Sequence, residues 1–139
     1  MTRLQTLTVS GYFKNLAQIG DFVAEAADQA GLDAKAVYAV QMAVDEACTN
    51  IIEHAYGGEG NGQIYIACIA QSEGLQISIT DQGQPFSPDQ IPRLDPTAPL
   101  EERNRRGMGM FFIYNLIDRV DYQFDTPQGN TLILFKSRV

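Results

Sequence analysis

The chain has 139 residues, which fits one domain with a sizeable core. Hydrophobic residues make up 45% and charged residues 19%, a balance that excludes a disordered chain. A net charge of −7 and a pI near 4.5 argue against nucleic acid as the main partner, so an anionic ligand would have to be met by local backbone amides and a few placed cations.

The first segment, RLQTLTV from Arg3 to Val9, alternates apolar and polar residues and reads as a strand. Leu16, Ile19, Phe22, Val23, Ala26 and Ala30 then recur with helical spacing, and Gly31 is placed to cap that helix at its C-terminus. A second helix is predicted to start after Asp33 as N-cap and to end at Gly57-Gly58. Its apolar stripe is Val37, Val40, Val44, Ala47, Ile51 and Ala55.

Two strands follow. GQIYIACIAQ is nearly all apolar and is expected to be buried on both faces, whereas LQISITD puts Leu75, Ile77 and Ile79 on one face. The short SEG between them predicts an antiparallel hairpin. From Gln82 to Arg106 periodicity stops, and Pro85, Pro88, Pro92, Pro96 and Pro99 interrupt the chain; a loop of that length reads as a functional lid or as disorder. GMGMFFIYNLID resumes a helical pattern, and VDYQFD and TLILFKS read as closing strands.

The order β-α-α-β-β-lid-α-β-β predicts an α+β two-layer sandwich in a single domain, not a doubly wound parallel fold. No apolar run reaches membrane length, and MTRLQTLTVS has no signal-peptide core. Cys48 and Cys68 are too few for a disulfide framework and read as core thiols in a reducing cytoplasm.

Three polar or glycine-rich spots punctuate this layout. In VDEACTNIIEHAYGG, Glu46, Asn50 and His54 recur every four residues, so on a regular helix they form a ridge beside the apolar stripe. A solvated helix edge explains such a ridge equally well. DQGQPF, from Asp81 to Phe86, ends the alternating strand: either an ordinary Asp-x-Gly turn, or a carboxylate that accepts a hydrogen bond from a base amine, with Gly83 giving a ligand access to the backbone. RRGMGMFFI opens a helix at Gly107 and Gly109, where free amides and the cations Arg105 and Arg106 suit a phosphate. It lacks the Lys-Ser/Thr of a P-loop, and a lone Gly-x-Gly is weak by itself.

Together, DEACTNIIEHAY, DQGQPF, RRGMGMFFI and the closing GNTLILF resemble the N, G1 and G2 boxes and the terminal Thr of the GHKL ATPase superfamily. The chain is most similar to the bacterial anti-sigma factor serine kinases, and the resemblance covers essentially its whole length. It implies a Bergerat-type ATP-binding sandwich over residues 1–139, with a mixed, mostly antiparallel sheet covered by helices on one face and an ATP lid at about 84–106. It implies ATP and Mg2+ as ligands, with Glu46 as the catalytic base and Asn50 as the metal ligand. Asp81 would bind the adenine amine with Thr131 nearby, and Gly83 would line the adenine pocket. Arg105 and the amides around Gly107, Met108, Gly109 and Met110 would hold the phosphates; whether Arg105 or Arg106 meets them stays open. His54 matches the family wording and reads as structural.

The implied activity is serine-protein kinase and anti-sigma factor, with an anti-sigma-factor antagonist and a sigma factor as partners, in the cytoplasm. No direct nucleic acid and no membrane are expected, and the resemblance admits a homodimer. Two other readings remain: a non-catalytic ATP-dependent partner-binding module, and a detached histidine-kinase ATPase domain. The second is weakened because the only histidine lies inside the ATP motif.

Overall fold

The computed structural model describes residues 3–85 and 115–138. Its strands are β1 (Arg3–Ser10), β2 (Gln63–Ala70), β3 (Gly74–Asp81), β4 (Arg119–Thr126) and β5 (Gly129–Ser137). Two α-helices lie between β1 and β2: α1 (Leu16–Gln29) and α2 (Ala34–Asn50). A 3-10 turn at Phe13–Asn15 leads into α1, and a π-helical turn at Ile51–Ala55 extends α2. The lid expected at 84–106 lies outside the described residues except for Gln84 and Pro85, and so does the helix start expected at Gly107.

The described strands form one sheet in the order β1-β2-β3-β5-β4. Every pairing is antiparallel, which corrects the expected mixed sheet. The connections explain this. Two antiparallel helices between β1 and β2 bring the chain back to the end of the sheet it left, so β2 runs against β1. The pairs β2–β3 and β4–β5 are each joined by a tight turn or short loop.

Strand alternation sends Ile64, Ile66 and Cys68 of β2, Leu75, Ile77 and Ile79 of β3, and Leu132 and Leu134 of β5 to one face. There they meet Ile19, Val23, Ala26 and Ala27 of α1 and Val40, Val44, Ala47 and Cys48 of α2, all buried in one core. The alanines let helix and sheet approach closely. The other face of β2 is only half-buried at Tyr65, Ala67 and Ile69, so burial on both faces does not hold. Helices cover one side of the sheet, and across the strands Tyr65 and Ala67 meet the short side chains of Thr6, Thr8, Ser78 and Thr80, while Ile69 is in register with Leu4 and Gln76.

The caps follow local chemistry. Asp33 Oδ1 accepts from the Ala36 amide at 2.8 Å and starts α2. Gly31, at φ 88°, takes the left-handed turn that stops α1. Arg138 then ties the chain end to that stop: Nε donates to the Ala30 carbonyl at 2.6 Å, and the guanidinium also donates to the carbonyls of Gln71 and Ser72. Both cysteines are buried as expected, and desolvation pushes the Cys68 thiol up to about 12. Among the described residues, no helix is long and apolar enough to cross a membrane.

Candidate functional site

Two chain ends meet at one edge of the sandwich: the C-terminal end of α2 and the C-terminal end of β3. Glu46 lies one turn before the end of α2 and is half-buried. Burial raises its carboxyl above the usual range, and the nearby carboxylates of Asp45 and Glu53 raise it further. A carboxylate so placed is a better proton acceptor than an exposed one. Asn50, also half-buried, is the last residue of regular α-helix.

Beyond Asn50 the ladder widens. The Tyr56 amide donates to the Ile51 carbonyl at 2.9 Å, five residues back, and the Gly58 amide donates to Ile52 at 2.8 Å. Such a turn carries more residues per revolution and rotates the side chains that follow. Glu46 and Asn50 therefore keep the four-residue α spacing, whereas His54 falls inside the π turn. Gly57 and Gly58, at φ 68° and 141°, then turn the chain away where the sequence placed the helix stop.

Asp81 closes β3 and is 2% exposed. Its Oδ1 accepts from the Gly83 amide and from Asn130 Nδ2, both at 2.9 Å. Among the described residues no hydrogen bond goes to Oδ2, so one oxygen of a buried carboxylate keeps its accepting capacity. Burial raises the Asp81 carboxyl, and the bonds from Asn130 and Gly83 partly offset that rise.

Asn130, 1% exposed, fixes this end of the sheet. Its amide nitrogen also reaches the Gly83 carbonyl at 3.1 Å, and its Oδ1 accepts from the Asp125 amide at 2.8 Å. Thr131 was the residue expected beside Asp81. It pairs instead with Thr80, hydroxyl to hydroxyl at 2.9 Å, on the opposite face of the sheet. The neighbour of Asp81 is Asn130, because Asn130 is the residue in register with it.

The two ends are clamped together. A Cβ on Gly83 would lie 2.4 Å from the Ala55 carbonyl oxygen, so only glycine fits against the π turn. The next amide, of Gln84, donates to that same oxygen at 2.8 Å. The Tyr56 hydroxyl accepts from the Gln82 amide at 2.9 Å and donates to the Gln63 carbonyl at 2.5 Å. The structure thus sets Asp81 and Gly83 against the end of the helix that bears Glu46 and Asn50. Arg105, Gly107, Met108, Gly109 and Met110 lie outside the described residues. Sequence reading missed Asn130 and Tyr56. The signal for Tyr56 lay in HAYGG, whereas Asn130 required the β3–β5 register.

Comparison with known proteins bears on the family and the fold. A family model described as "Histidine kinase-like ATPase domain" matches residues 12–136. The serine-protein kinase RsbW of Halalkalibacterium halodurans is 32% identical over 91 residues, which cover 63% of this chain and 55% of that protein. RsbW of Bacillus velezensis is 31% identical over 101 residues, covering 70% of this chain and 62% of that protein. The chain thus spans less than two thirds of the length of these two relatives. RsbW of Listeria monocytogenes serotype 4a is 31% identical over 116 residues, covering 79% and 71%. The fold is similar to that in a crystal structure of the RsbU and RsbW domains of a Mycobacterium tuberculosis protein. There the TM-score is 0.64 at 16% identity, over 97% of this chain and 32% of that one. The chain belongs to the histidine kinase-like ATPase domain family and is a relative of the RsbW serine-protein kinases.

Proposed function

We propose that the chain is a serine-protein kinase and anti-sigma factor. It takes Mg-ATP and phosphorylates a serine of an anti-sigma-factor antagonist, which controls release of a sigma factor in the cytoplasm. The observation that carries the nucleotide half is the buried Asp81 carboxylate, held through Oδ1 by Asn130 and Gly83 with Oδ2 left as an acceptor. A fixed acceptor in a dry site suits the exocyclic amine of adenine and mismatches the carbonyl of guanine. The serine half is supported by the names of the relatives.

In this reading residues 1–139 act as one ATPase domain, with 84–106 closing over the nucleotide. Arg105 and the amides of Gly107, Met108, Gly109 and Met110 hold its phosphates, as free amides at a helix start can. Asn50 fits Mg2+ through its amide oxygen. Among the described residues no three His, Cys, Asp or Glu side chains are grouped to hold a metal. Water and phosphate oxygens would supply the other ligands of such an ion. When bound, the metal neutralises charge on the phosphate oxygens.

Glu46 accepts the proton of the attacking serine. The serine oxygen bonds to the γ-phosphorus, the bond from that phosphorus to the β–γ bridging oxygen breaks, and ADP leaves. The test is single-turnover transfer from γ-labelled Mg-ATP to the cognate antagonist. Wild type should label a serine, and Glu46→Gln should keep ATP affinity while transfer falls ~10²–10⁴-fold. Nucleotide-dependent partner binding without transfer by wild type would replace the kinase with a non-catalytic binding module.

A further inference from the structure

At the end of α2 away from Asn50, the helix and the end of β5 border a groove of about 560 Å³. Ala36, Ala39, Met42 and Leu116 give it an apolar lining. Tyr38 also lines it and is 63% exposed, an aromatic ring that the core does not use. Three cations meet there: Lys35 from the first turn of α2, and Lys136 and Arg138 from the end of the chain. Two of them are fixed in place. Lys136 Nζ donates to the Leu116 carbonyl at 2.9 Å, and only 21% of its side chain is exposed. Arg138 donates to the carbonyls of Ala30, Gln71 and Ser72. Those acceptors are neutral, so they position the positive charge without cancelling it. The Asp118 carboxylate, 3.8 Å from Lys136 Nζ, offsets one of the three in part. Asp33, a carboxylate in the lining, is turned to the Ala36 amide that it caps.

We propose that this groove docks an acidic segment of a protein partner, with an apolar side chain seated over Ala36 and Ala39 and carboxylates beside Lys35 and Lys136. The proposal does not rest on the kinase reading, since Lys35 and Asn50 lie at opposite ends of α2. Charge complementarity carries it. On a chain of net charge −7, cations held together reverse the local sign and attract an acidic segment that the wider field repels. Because two of the three are already anchored, little ordering is left for the partner to impose. Shape favours a polypeptide: pockets for small molecules enclose them, whereas this groove is open along one side. An exposed tyrosine beside an apolar floor suits the anchor of a protein interface.

The experiment uses the full chain and two fluorescent peptides, each with a central leucine, flanked by glutamates in one and by lysines in the other. Binding is read by anisotropy. Wild type should bind the glutamate peptide about tenfold more tightly, the scale of two or three surface ion pairs. Lys35→Glu and Tyr38→Ala should each weaken that peptide about fivefold while thermal stability holds, because both side chains are exposed. Lys14→Glu makes the same change of charge beside Tyr12, ahead of α1, and should leave binding unchanged. A glutamate peptide bound no more tightly than the lysine peptide, or weakened equally by Lys14→Glu and Lys35→Glu, would overturn the proposal. Displacement of the peptide by anionic phospholipid vesicles would assign the groove to a membrane surface. A dimer in sedimentation that Lys35→Glu abolishes would assign it to a second copy of the chain. Either result would overturn the proposal as well.

Discussion

Asn130 and Thr131 are adjacent in the chain and serve opposite faces of the sheet, and the difference is one of charge. Asn130 donates to a buried carboxylate, whereas Thr131 meets only another hydroxyl. Asn130→Ala would strip partners from Asp81 Oδ1, the Gly83 carbonyl and the Asp125 amide. It should cost about 1–3 kcal/mol, the scale of an unsatisfied buried group. Urea denaturation should show a smaller loss for Thr131→Ala; equal losses would refute this reading of the two positions. At Glu46 the prediction concerns pH. A general base acts only when ionised, so transfer should fall as pH drops through a carboxyl value that burial and Asp45 have raised. Asp45→Asn removes one like charge, so the fall should begin at lower pH. Superimposable single-turnover profiles would remove Asp45 as a cause. Asp81 and Gly83 were legible because DQGQPF joins a strand end to a turn. Asn130 was not, since its role depends on a partner 49 residues away.

At the scale of elements, α2 was legible from its apolar stripe, its Asp33 cap and its glycine stop. Its last turn was not. Four- and five-residue steps both keep Ile51 and Ala55 apolar, so composition does not separate an α turn from a π turn. The π turn matters because Ala55 and Tyr56 face the segment after β3. Tyr56→Phe removes the hydroxyl that bridges the Gln82 amide and the Gln63 carbonyl. It should cost about 1–3 kcal/mol by denaturation, and the Gln82 amide should exchange hydrogen faster. Unchanged Gln82 exchange would mean that Gly83 and Gln84 hold the clamp without the tyrosine. The half-buried outer face of β2 escaped sequence reading for another reason: small and apolar residues on an open sheet face look the same as core.

For the whole molecule, element order was enough to predict two layers, since grouped strands and helices exclude a doubly wound sheet. Strand order was not readable, because β5 lies between β3 and β4 and so pairs with a strand that precedes it by dozens of residues. That insertion brings Arg138 over the Ala30 carbonyl and the β2–β3 turn. Arg138→Ala should lower stability by about 1–3 kcal/mol in thermal unfolding without changing nucleotide affinity. A loss of affinity would show that the chain end couples to the site. The same insertion sets Asn130 against Asp81, which is why adenine recognition tests the whole arrangement. The deciding measurement is calorimetric titration of wild type and Asp81→Asn with ATP and with GTP, each with magnesium. Wild type should prefer ATP, and the variant, whose amide can turn a donor toward the adenine amine, should lose about 1–3 kcal/mol of ATP binding. Equal affinity of wild type for ATP and GTP, or unchanged ATP affinity in a folded Asp81→Asn, would contradict it.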